Sequence, residues 1–355
     1  MPSLRNGNRC GKANKPVSNT IPLIDISPLR ENDDRGLKAI ATEIEAACTD
    51  TGFFTIIGHG GDLRLLQQTR QAAAEFFAAP DPVKRAVIRP PEKITRGWNP
   101  AGDRALSNTL DKETPPDLQE AWGMGPPRSG DTPYYTTGAG KTFFAPNKWP
   151  ELAGYKKTIT QYYDAMTRLA DDVMRGFALA LGIDHEFFID KTNRQCSNVR
   201  FIRYPAQKGE PLKGQLRAGE HTDYGTFTFV KGDNVAGGLQ ISDGKGSWHN
   251  VETPENGFVC NIGDTMQLWT GGRFQSTLHR VANPPHNAAS QDRISLVYFH
   301  QPNHDAILGG IGDAEGNGTG PTFAQHYFSK IMKANTTDTG SSTVTVEELV
   351  SGGTQ

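Results

Sequence analysis

The carboxyl-terminal half of the chain, from Asn198 onward, is divided into short β-rich segments by glycine, asparagine and proline. Runs of β-branched and aromatic residues between such turn-forming residues are typical of strands, and about eight of them at close spacing favour two packed sheets. This pattern therefore predicts a jelly roll. The predicted strands are Phe201–Tyr204, Gly225–Val230, Gly238–Ile241, Trp248–Val251, Phe258–Ile262, Met266–Trp269, Ser276–Val281 and Arg293–Gln301.

The first half of the chain has a mainly helical pattern. Apolar residues recur every three or four positions in Leu63–Ala79 and Glu151–Leu181, which predicts two helices, and Gly182 would end the longer one. Two short apolar runs, Ile21–Ile26 and Gly52–Gly58, instead predict strands. We expect this half to brace the jelly roll from outside, which gives an α+β fold.

The expected organisation along the chain has four parts. Residues 1–20 are predicted to be a disordered tail, 21–195 a mainly helical region, 196–310 the jelly-roll core, and 311–355 a C-terminal helix and tail. Proline and glycine are frequent between residues 80 and 150, where periodicity is weak. This stretch predicts a long irregular excursion, of the kind that often covers a site.

Composition excludes several classes of protein. A net charge of −2 and a pI near 6.5 provide no broad basic field for nucleic acid or an anionic membrane. No stretch is long and apolar enough to span a bilayer, and the N-terminus lacks the apolar core of a signal peptide. The four scattered cysteines have no Cys-x-x-Cys spacing, which argues against a zinc ribbon or a disulfide framework. We expect a soluble, cytoplasmic monomer without nucleic-acid or membrane partners.

A candidate metal site begins at Glu220-His-Thr-Asp-Tyr-Gly225, which holds the only His-x-Asp among nine histidines. Alternate residues of an extended strand point to the same side, so His221 and Asp223 can present an imidazole and a carboxylate together. His279 lies in an apolar strand pattern, where an imidazole is costly unless it is paired or ligated. Two histidines and one carboxylate on one face of an octahedron are typical of non-haem Fe(II) oxygenases.

Other histidines could supply the third ligand. A His-x-Asp pair arises by chance about once in a chain of this composition, so the pair is a weak signal by itself. The alternatives downstream are His249, His286, His300 and His304. His249 follows Trp248 in a polar turn and is predicted to be a surface residue.

A second candidate site lies on the last predicted strand. Positions 293, 295, 297 and 299 share one face, so a guanidinium, a hydroxyl, a valine and a phenyl ring point the same way. A buried arginine beside an apolar wall is costly unless an anion meets it. The expected anion is a carboxylate bound by Arg293 and Ser295, to which Tyr204 could add a hydroxyl. Alternatively, Arg293 pairs with a protein acid and Tyr204 is a core residue.

Taken together, these segments resemble the isopenicillin N synthase-like family of Fe(II)- and 2-oxoglutarate-dependent dioxygenases. The resemblance extends from about Ile21 to Phe328, and so many matches in order are more specific than any one of them. The matching segments are Ile21–Ile26, Gly52–Gly60, Asp117–Gly125, Pro146–Pro150, Arg203–Pro205, His221–Gly225, Gly238–Ile241, Asn261–Asp264, Ser276–Val281 and Arg293–Ser295.

The resemblance implies a double-stranded β-helix core that binds Fe(II) through His221, Asp223 and His279. It also implies that Arg293 and Ser295 bind the distal carboxylate of 2-oxoglutarate, with Tyr204 as a further candidate. Dioxygen then oxidises a small organic metabolite while 2-oxoglutarate is decarboxylated to succinate and CO2. Hydroxylation, desaturation and ring rearrangement all remain open, and no catalytic residue beyond the metal ligands is expected.

Candidate substrate-binding residues are aromatic or cationic. The resemblance implies that Phe299 lies near the substrate, and Arg203, Phe229 and Trp98 are further candidates because such side chains orient ligands in small-molecule pockets. Core packing is the alternative for Trp98 and Phe229. Two other functions also remain open: an Fe(II) oxidase of the isopenicillin N synthase or aminocyclopropane-carboxylate oxidase type that uses no 2-oxoglutarate, and a metal-binding or structural protein without turnover.

Overall fold

The computed structural model describes residues 21–31, 34–90, 94–288, 291–311, 320–334 and 345–351. The predicted N-terminal tail, residues 1–20, lies outside these described residues, as does the end of the predicted C-terminal tail. Within the described part of the chain, no helix is both long and apolar enough to cross a membrane.

Helices and strands are numbered in chain order. The strands are β1 Leu23–Asp25, β2 Phe53–Ile57, β3 Gly97–Asn99, β4 Glu120–Met124, β5 Asn198–Tyr204, β6 Ala218–His221, β7 Phe227–Gly232, β8 Leu239–Ser242, β9 Trp248–Asn250, β10 Phe258–Ile262, β11 His279–Val281 and β12 Arg293–His300. The helices are α1 Pro28–Glu31, α2 Asp34–Asp50, α3 Leu63–Ala78, α4 Asp81–Ala86, α5 Pro133–Thr136, α6 Gly138–Phe143, α7 Tyr155–Leu181, α8 Glu186–Thr192, α9 Asp264–Trp269, α10 Phe323–Ala334 and α11 Val346–Ser351.

The strands form two sheets. The larger has eight strands in the order β1-β2-β10-β7-β12-β5-β4-β3, and the smaller has four in the order β6-β11-β8-β9. All pairings between these strands are antiparallel except the one between β1 and β2. The two sheets enclose a cavity to which both contribute side chains. The predicted α+β fold with a jelly-roll core is therefore confirmed.

Strand alternation separates the cavity from the helical core. On β12 the odd-numbered residues 293–299 face the cavity, while Ile294, Leu296 and Tyr298 are buried against the helices. β5 pairs with β12 so that Tyr204 lies opposite Arg293, which places the even-numbered residues of β5 on the cavity side. The odd or even position of a residue along its strand thus determines whether its side chain faces the cavity or the helices.

The helices of the first half cover the outer face of the larger sheet. The long helix α7 packs against α2, α3 and β12, and it buries the residues that recur at helical spacing, from Tyr155 to Phe177. It ends at Gly182, whose φ of 67° is the left-handed conformation that glycine adopts without strain. The amide of Gly182 donates to the carbonyls of Ala178 and Leu179. The prediction for this helix and its end is confirmed.

One predicted strand is wrong. Residues Met266–Trp269 belong to helix α9, which begins at Asp264 with an acidic residue in its first turn, where the helix dipole favours it. Met266 and Trp269, three positions apart, are both fully buried, and Trp269 donates its indole N–H to the carbonyl of Ile307. A run of four residues is too short for periodicity to distinguish a strand from a helix.

Residues 80–150 are more ordered than the sequence predicted. They contain β3 and β4, which extend the larger sheet beyond β5, as well as three short helices. The structure also contains β6, which the sequence pattern did not reveal because Ala218–His221 includes neither β-branched nor aromatic residues. Both additions matter for function, because β6 carries His221 and the segment between β3 and β4 covers the cavity.

Candidate active site

The cavity between the two sheets, here called the central cavity, has a volume of about 950 Å³ including its open mouth. Its walls come from the facing sides of β5, β7 and β12 and from β6 and β11. Helix α10 covers part of it with Tyr327 and Ile331, and the segment before β4 contributes Arg104 and Leu106. The site is therefore built on two rigid sheets and covered by loop and helix residues.

Three metal-ligand side chains meet in this cavity. His221 on β6 pairs directly with His279 on β11. Their Nε2 atoms lie 3.9 Å and 3.7 Å from Oδ1 of Asp223. Within the described residues, no other group of three histidine, cysteine or acidic side chains comes together in this way. The structure thus brings together the three residues that the sequence singled out.

Hydrogen bonds fix the orientation of both imidazoles. The Nδ1 atom of His221 lies 2.8 Å from the carbonyl of Gly219, and Nδ1 of His279 lies 3.0 Å from the carbonyl of Thr277. A carbonyl can only accept, so each Nδ1 carries the proton and donates it. The lone pair of each Nε2 therefore points towards Asp223 and is available to a metal ion.

The carboxylate of Asp223 is oriented in the same manner. Strand β6 ends at His221, so Asp223 lies just beyond it and reaches across to the larger sheet. Its Oδ2 atom accepts hydrogen bonds from the hydroxyl of Thr228 at 2.6 Å and the amide of Asn261 at 2.7 Å. These two donors occupy Oδ2 and leave Oδ1 facing the imidazoles, as a monodentate metal ligand requires.

The protonation states of these groups are coupled. Burial, together with the nearby imidazole of His279, lowers the pKa of His221 to about 4, so this ligand is neutral at pH 7. Burial alone would raise the pKa of Asp223, but His279, His221 and the Asn261 amide lower it below its usual value. For His279, burial is outweighed by Asp223, which raises the pKa. The donor set of two imidazoles and one carboxylate fits Fe(II), which would bind His279 in its neutral form.

The second predicted site lies at the other end of β12. Arg293 and Ser295 are both buried in the cavity wall, and the guanidinium donates to the Ser295 hydroxyl. Tyr204 lies opposite, with its ring centroid 5.4 Å from the Arg293 guanidinium. Burial raises the pKa of Tyr204 to about 12, so its hydroxyl stays protonated and can donate.

Arg293 has no carboxylate partner among the described residues. The acid whose charge acts on it, Asp233, is held by a bidentate pair with Arg70 and by the amide of Ile294. The Nε atom of Arg293 is buried and makes no hydrogen bond. The alternative in which Arg293 pairs with a protein acid is therefore not what the structure shows. An unpaired buried guanidinium is costly, and a carboxylate ligand would satisfy it.

The alternative third ligands lie elsewhere. His300 is buried against Phe227 and hydrogen-bonded to Thr226. His304 is stacked on a tyrosine at the edge of the helical region. His249 lies on strand β9 rather than in the predicted turn, partly exposed and 3.6 Å from Asp243, and His286 is exposed. None of these four side chains lines the central cavity.

Of the four candidate substrate residues, only Phe299 lines the central cavity. Arg203 is adjacent to Tyr204 on β5, so its side chain points to the opposite face of the sheet, where it pairs with Glu120 and Asp292. Phe229 faces the helical core for the same reason, because Thr228 and Val230 are the neighbours that face the cavity. Trp98 is buried and donates its indole N–H to Glu120 at 2.8 Å. The structure does not bring Arg203, Phe229 or Trp98 to the site.

Several residues of the site were not predicted from the sequence. Thr228 and Asn261 orient Asp223, and Asn261 had appeared only as part of the Asn-Ile-Gly-Asp segment. Asn198 and Arg200 line the cavity. They are even-numbered residues of β5, like Tyr204, and this alternation could have identified them from the sequence. Other lining residues come from loops and from α10, where no periodicity indicates direction. These are Thr95, Arg104, Gln119, Tyr224, Gln301, Tyr327 and Ile331.

Comparison with known proteins agrees with this architecture. Residues 21–152 match the family profile described as non-haem dioxygenase in morphine synthesis N-terminal, and residues 193–302 match the 2OG-Fe(II) oxygenase superfamily. Validamycin A dioxygenase of Streptomyces hygroscopicus subsp. limoneus is 31% identical over 310 residues, which cover 86% of this chain and 83% of the relative. Homoarginine-6-hydroxylase 2-ODD-C23 of Glycine max is 32% identical over 302 residues, which cover 81% of this chain and 87% of the relative.

A solved structure shows the same fold. A full-length Neurospora crassa protein, crystallised in complex with alpha-KG, has a TM-score of 0.76 and 27% sequence identity, and the match covers 90% of this chain and 98% of that one. Fold and site together define a non-haem oxygenase with a jelly-roll core. The chain belongs to the 2OG-Fe(II) oxygenase superfamily, which includes the isopenicillin N synthase-like group. It is an Fe(II)- and 2-oxoglutarate-dependent dioxygenase that acts on a small organic molecule.

Proposed function

We propose that His221, Asp223 and His279 bind Fe(II), and that Arg293, Ser295 and Tyr204 bind the distal carboxylate of 2-oxoglutarate. The single observation that carries the second assignment is the buried guanidinium of Arg293, which has no carboxylate partner within the part of the chain that the structure describes. A dicarboxylate would satisfy this charge with one end and leave its keto acid end for the metal. The Ser295 hydroxyl, on the same face of β12 and hydrogen-bonded to Arg293, supports a shared contact with this carboxylate.

Each residue has a defined task in this proposal. Bound Fe(II) activates dioxygen for the coupled oxidation of 2-oxoglutarate and substrate. The Gly219 and Thr277 carbonyls hold the imidazoles in the tautomer that can ligate, and Thr228 and Asn261 hold the carboxylate. Val297 and Phe299 form an apolar wall between the two sites, which excludes water from the reacting atoms.

The reaction outcome is proposed to be hydroxylation, because it needs no protein group beyond those that bind iron, co-substrate and substrate. Relatives named for validamycin A and for homoarginine hydroxylation support a small metabolite as substrate. Desaturation or ring rearrangement would follow from a different position of the substrate. We further propose a cytoplasmic monomer without nucleic-acid or membrane partners, an expectation that the net charge of −2 supports.

The test is the stoichiometry of succinate release and its dependence on Arg293. Candidate substrates are screened for 2-oxoglutarate-dependent succinate formation, and one succinate is expected for each substrate molecule oxidised. Arg293→Lys removes the bidentate contact and should raise the KM for 2-oxoglutarate at least about tenfold. Arg273→Lys, which alters an arginine paired with Glu45 at the surface, is the matched control.

Two results would contradict the proposal. Substrate oxidation that proceeds fully without 2-oxoglutarate would favour the isopenicillin N synthase type of oxidase. An unchanged KM in Arg293→Lys would show that the co-substrate carboxylate binds elsewhere.

A further inference from the structure

We propose that the substrate carries an anionic group, specifically a carboxylate, and that Arg200 and Arg104 bind it at the end of the central cavity away from Arg293. This inference rests on the function proposed above and specifies the class of its substrate. Both arginines line the cavity, and neither belongs to the metal site or the co-substrate site.

Arg200 is a buried cation without a partner. Its side chain extends from β5 into the cavity, where the whole residue is only 7% exposed. Its Nε atom is buried and makes no hydrogen bond, and no acidic residue in the described ranges forms a salt bridge with the guanidinium. A largely buried guanidinium without an acidic partner is costly, so its presence in a ligand cavity points to an anion that arrives with the ligand.

The position of Arg200 separates it from the co-substrate site. Arg200, on β5, pairs with Val297 on β12. Val297 lies four residues from Arg293 along β12, which is about 13 Å at the usual rise of a strand. On the other side of β5, Arg200 pairs with Gly123 on β4. A Cβ at Gly123 would overlap the side chain of Thr95. The missing side chain lets Thr95, another residue of the cavity wall, pack directly over Gly123.

Arg104 approaches the same region from the covering segment. Its Nε atom is also buried without a hydrogen-bond partner. Burial raises the pKa of Tyr327, and Arg104 is among the groups that oppose this rise, so the cation lies close to that hydroxyl. The Tyr327 hydroxyl is in turn 3.2 Å from that of Thr95, which also lines the cavity. The hydroxyls of Thr95 and Tyr327 and the two guanidinium groups thus line the same cavity.

The charge balance of the cavity favours a further anion. Asp223 is the single acidic residue of the described chain that lines it. The charges of Fe(II), Asp223, Arg293 and the 2-oxoglutarate dianion cancel, which leaves Arg200 without a compensating charge, whereas Arg104 interacts with Asp117, a buried acid that does not line the cavity. A neutral substrate would leave the buried guanidinium of Arg200 without a counter-ion. A carboxylate would provide the bidentate acceptor that a guanidinium binds best.

The remaining walls specify the rest of the ligand. Phe299, Leu106 and Ile331 are apolar, whereas Asn198 and Gln301 offer amide groups near the Arg200 end. The expected substrate is a small organic acid whose apolar body reaches towards the metal. Its carboxylate would fix the orientation and so select which carbon is oxidised.

The test compares acids with their neutral amides. The full-length chain is loaded with Fe(II) and saturating 2-oxoglutarate without oxygen, and binding is measured by calorimetry. The probes are benzoate, phenylacetate, 3-phenylpropionate and hexanoate, each paired with its primary amide. At least one acid should bind at least about tenfold more tightly than its amide. Arg200→Gln and Arg104→Gln should each remove most of this preference, and Arg200→Lys should retain part of it.

Controls separate this inference from the function on which it rests. Arg128→Gln changes an exposed arginine that pairs with Asp164 outside the cavity and should keep the preference. Affinity for Fe(II) and 2-oxoglutarate is measured first for every variant. Wild-type protein that binds neither would refute the proposed function itself.

Three outcomes would overturn the anionic-substrate inference alone. One is that no acid of the panel binds more tightly than its amide. Another is that both glutamine variants keep the preference. The third is that Arg200→Gln abolishes the binding of 2-oxoglutarate, which would assign Arg200 to the co-substrate.

Discussion

His279 follows Asp223 by 56 residues in the chain, yet its Nε2 atom lies 3.7 Å from Oδ1 of Asp223. The proximity results from the pairing of β11 with β6, which places His279 directly opposite His221. Asp223 then reaches from the end of β6 towards the larger sheet, where Thr228 and Asn261 hold it. The proposed metal site therefore joins the two sheets.

Removing a proposed ligand should abolish Fe(II) binding. Asp223→Ala or His279→Ala leaves two protein ligands, and we expect Fe(II)-dependent succinate formation to fall to background. His249→Ala, which alters an imidazole beside Asp243 on strand β9 outside the cavity, should bind Fe(II) as the wild type does. Anaerobic Fe(II) titration followed by oxygen consumption measures both. Full Fe(II) affinity in Asp223→Ala would disprove the assignment.

The two donors to Asp223 should tune the affinity for iron. Asn261→Ala and Thr228→Val each free Oδ2 from one hydrogen bond, so the carboxylate is less well oriented towards the imidazoles. We expect the Kd for Fe(II) to rise about 10- to 100-fold in each variant. The exposed Asn250 offers a matched control as Asn250→Ala. Equal affinities in all three proteins would show that Asp223 needs no such support.

Gly232 should be required for binding of 2-oxoglutarate. It lies opposite Ser295 on β7, and a Cβ at this position would overlap Nη2 of Arg293 and crowd the Ser295 hydroxyl. Gly232→Ala therefore displaces the guanidinium, and the KM for 2-oxoglutarate should rise about tenfold or more. A Cβ at Gly209 meets no atom, so Gly209→Ala is the control. A KM unchanged by Gly232→Ala would place the co-substrate away from Arg293.

His300 should make the stability of the fold depend on pH. Burial lowers the pKa of His300 to about 3, below its usual value of 6.5, because its Nε2 atom has no partner and a second proton could not be satisfied. The folded chain thus binds fewer protons here than the unfolded chain. The free energy of unfolding should fall as the pH drops below about 6.5, by about 1.4 kcal/mol per pH unit.

The comparison is made with His300→Gln, which removes the titration and keeps a group that can bond to Thr226. Urea unfolding is measured for both proteins at pH 7 and pH 4.5. On lowering the pH, the wild type should lose about 2 to 3 kcal/mol more than the variant. An identical loss in the two proteins would mean that His300 becomes protonated without cost.

Much of the fold followed from local pattern. The helix α7 and its end at Gly182 were predictable because apolar spacing and a left-handed cap are encoded within the segment itself. The helical conformation of Met266–Trp269 was not predictable, since a run of four residues fits either period and only burial beneath α10 and α8 selects the helix. Strand β6 was missed because its pairing with β11, rather than its own β propensity, makes it a strand.

The sequence by itself determined the chemistry that was available. It specified one His-x-Asp pair, and it placed Arg293, Ser295 and Phe299 on one face of a strand through the period of two. The same period could have excluded Arg203 from the face of Tyr204. Tertiary structure alone decided which distant groups meet: that Asn261 bonds to Asp223, that Asp233 pairs with Arg70 rather than Arg293, and that Arg104 and Arg200 share one cavity. These contacts depend on strand register and sheet closure, which arise from packing across the whole chain and leave no mark in any local segment.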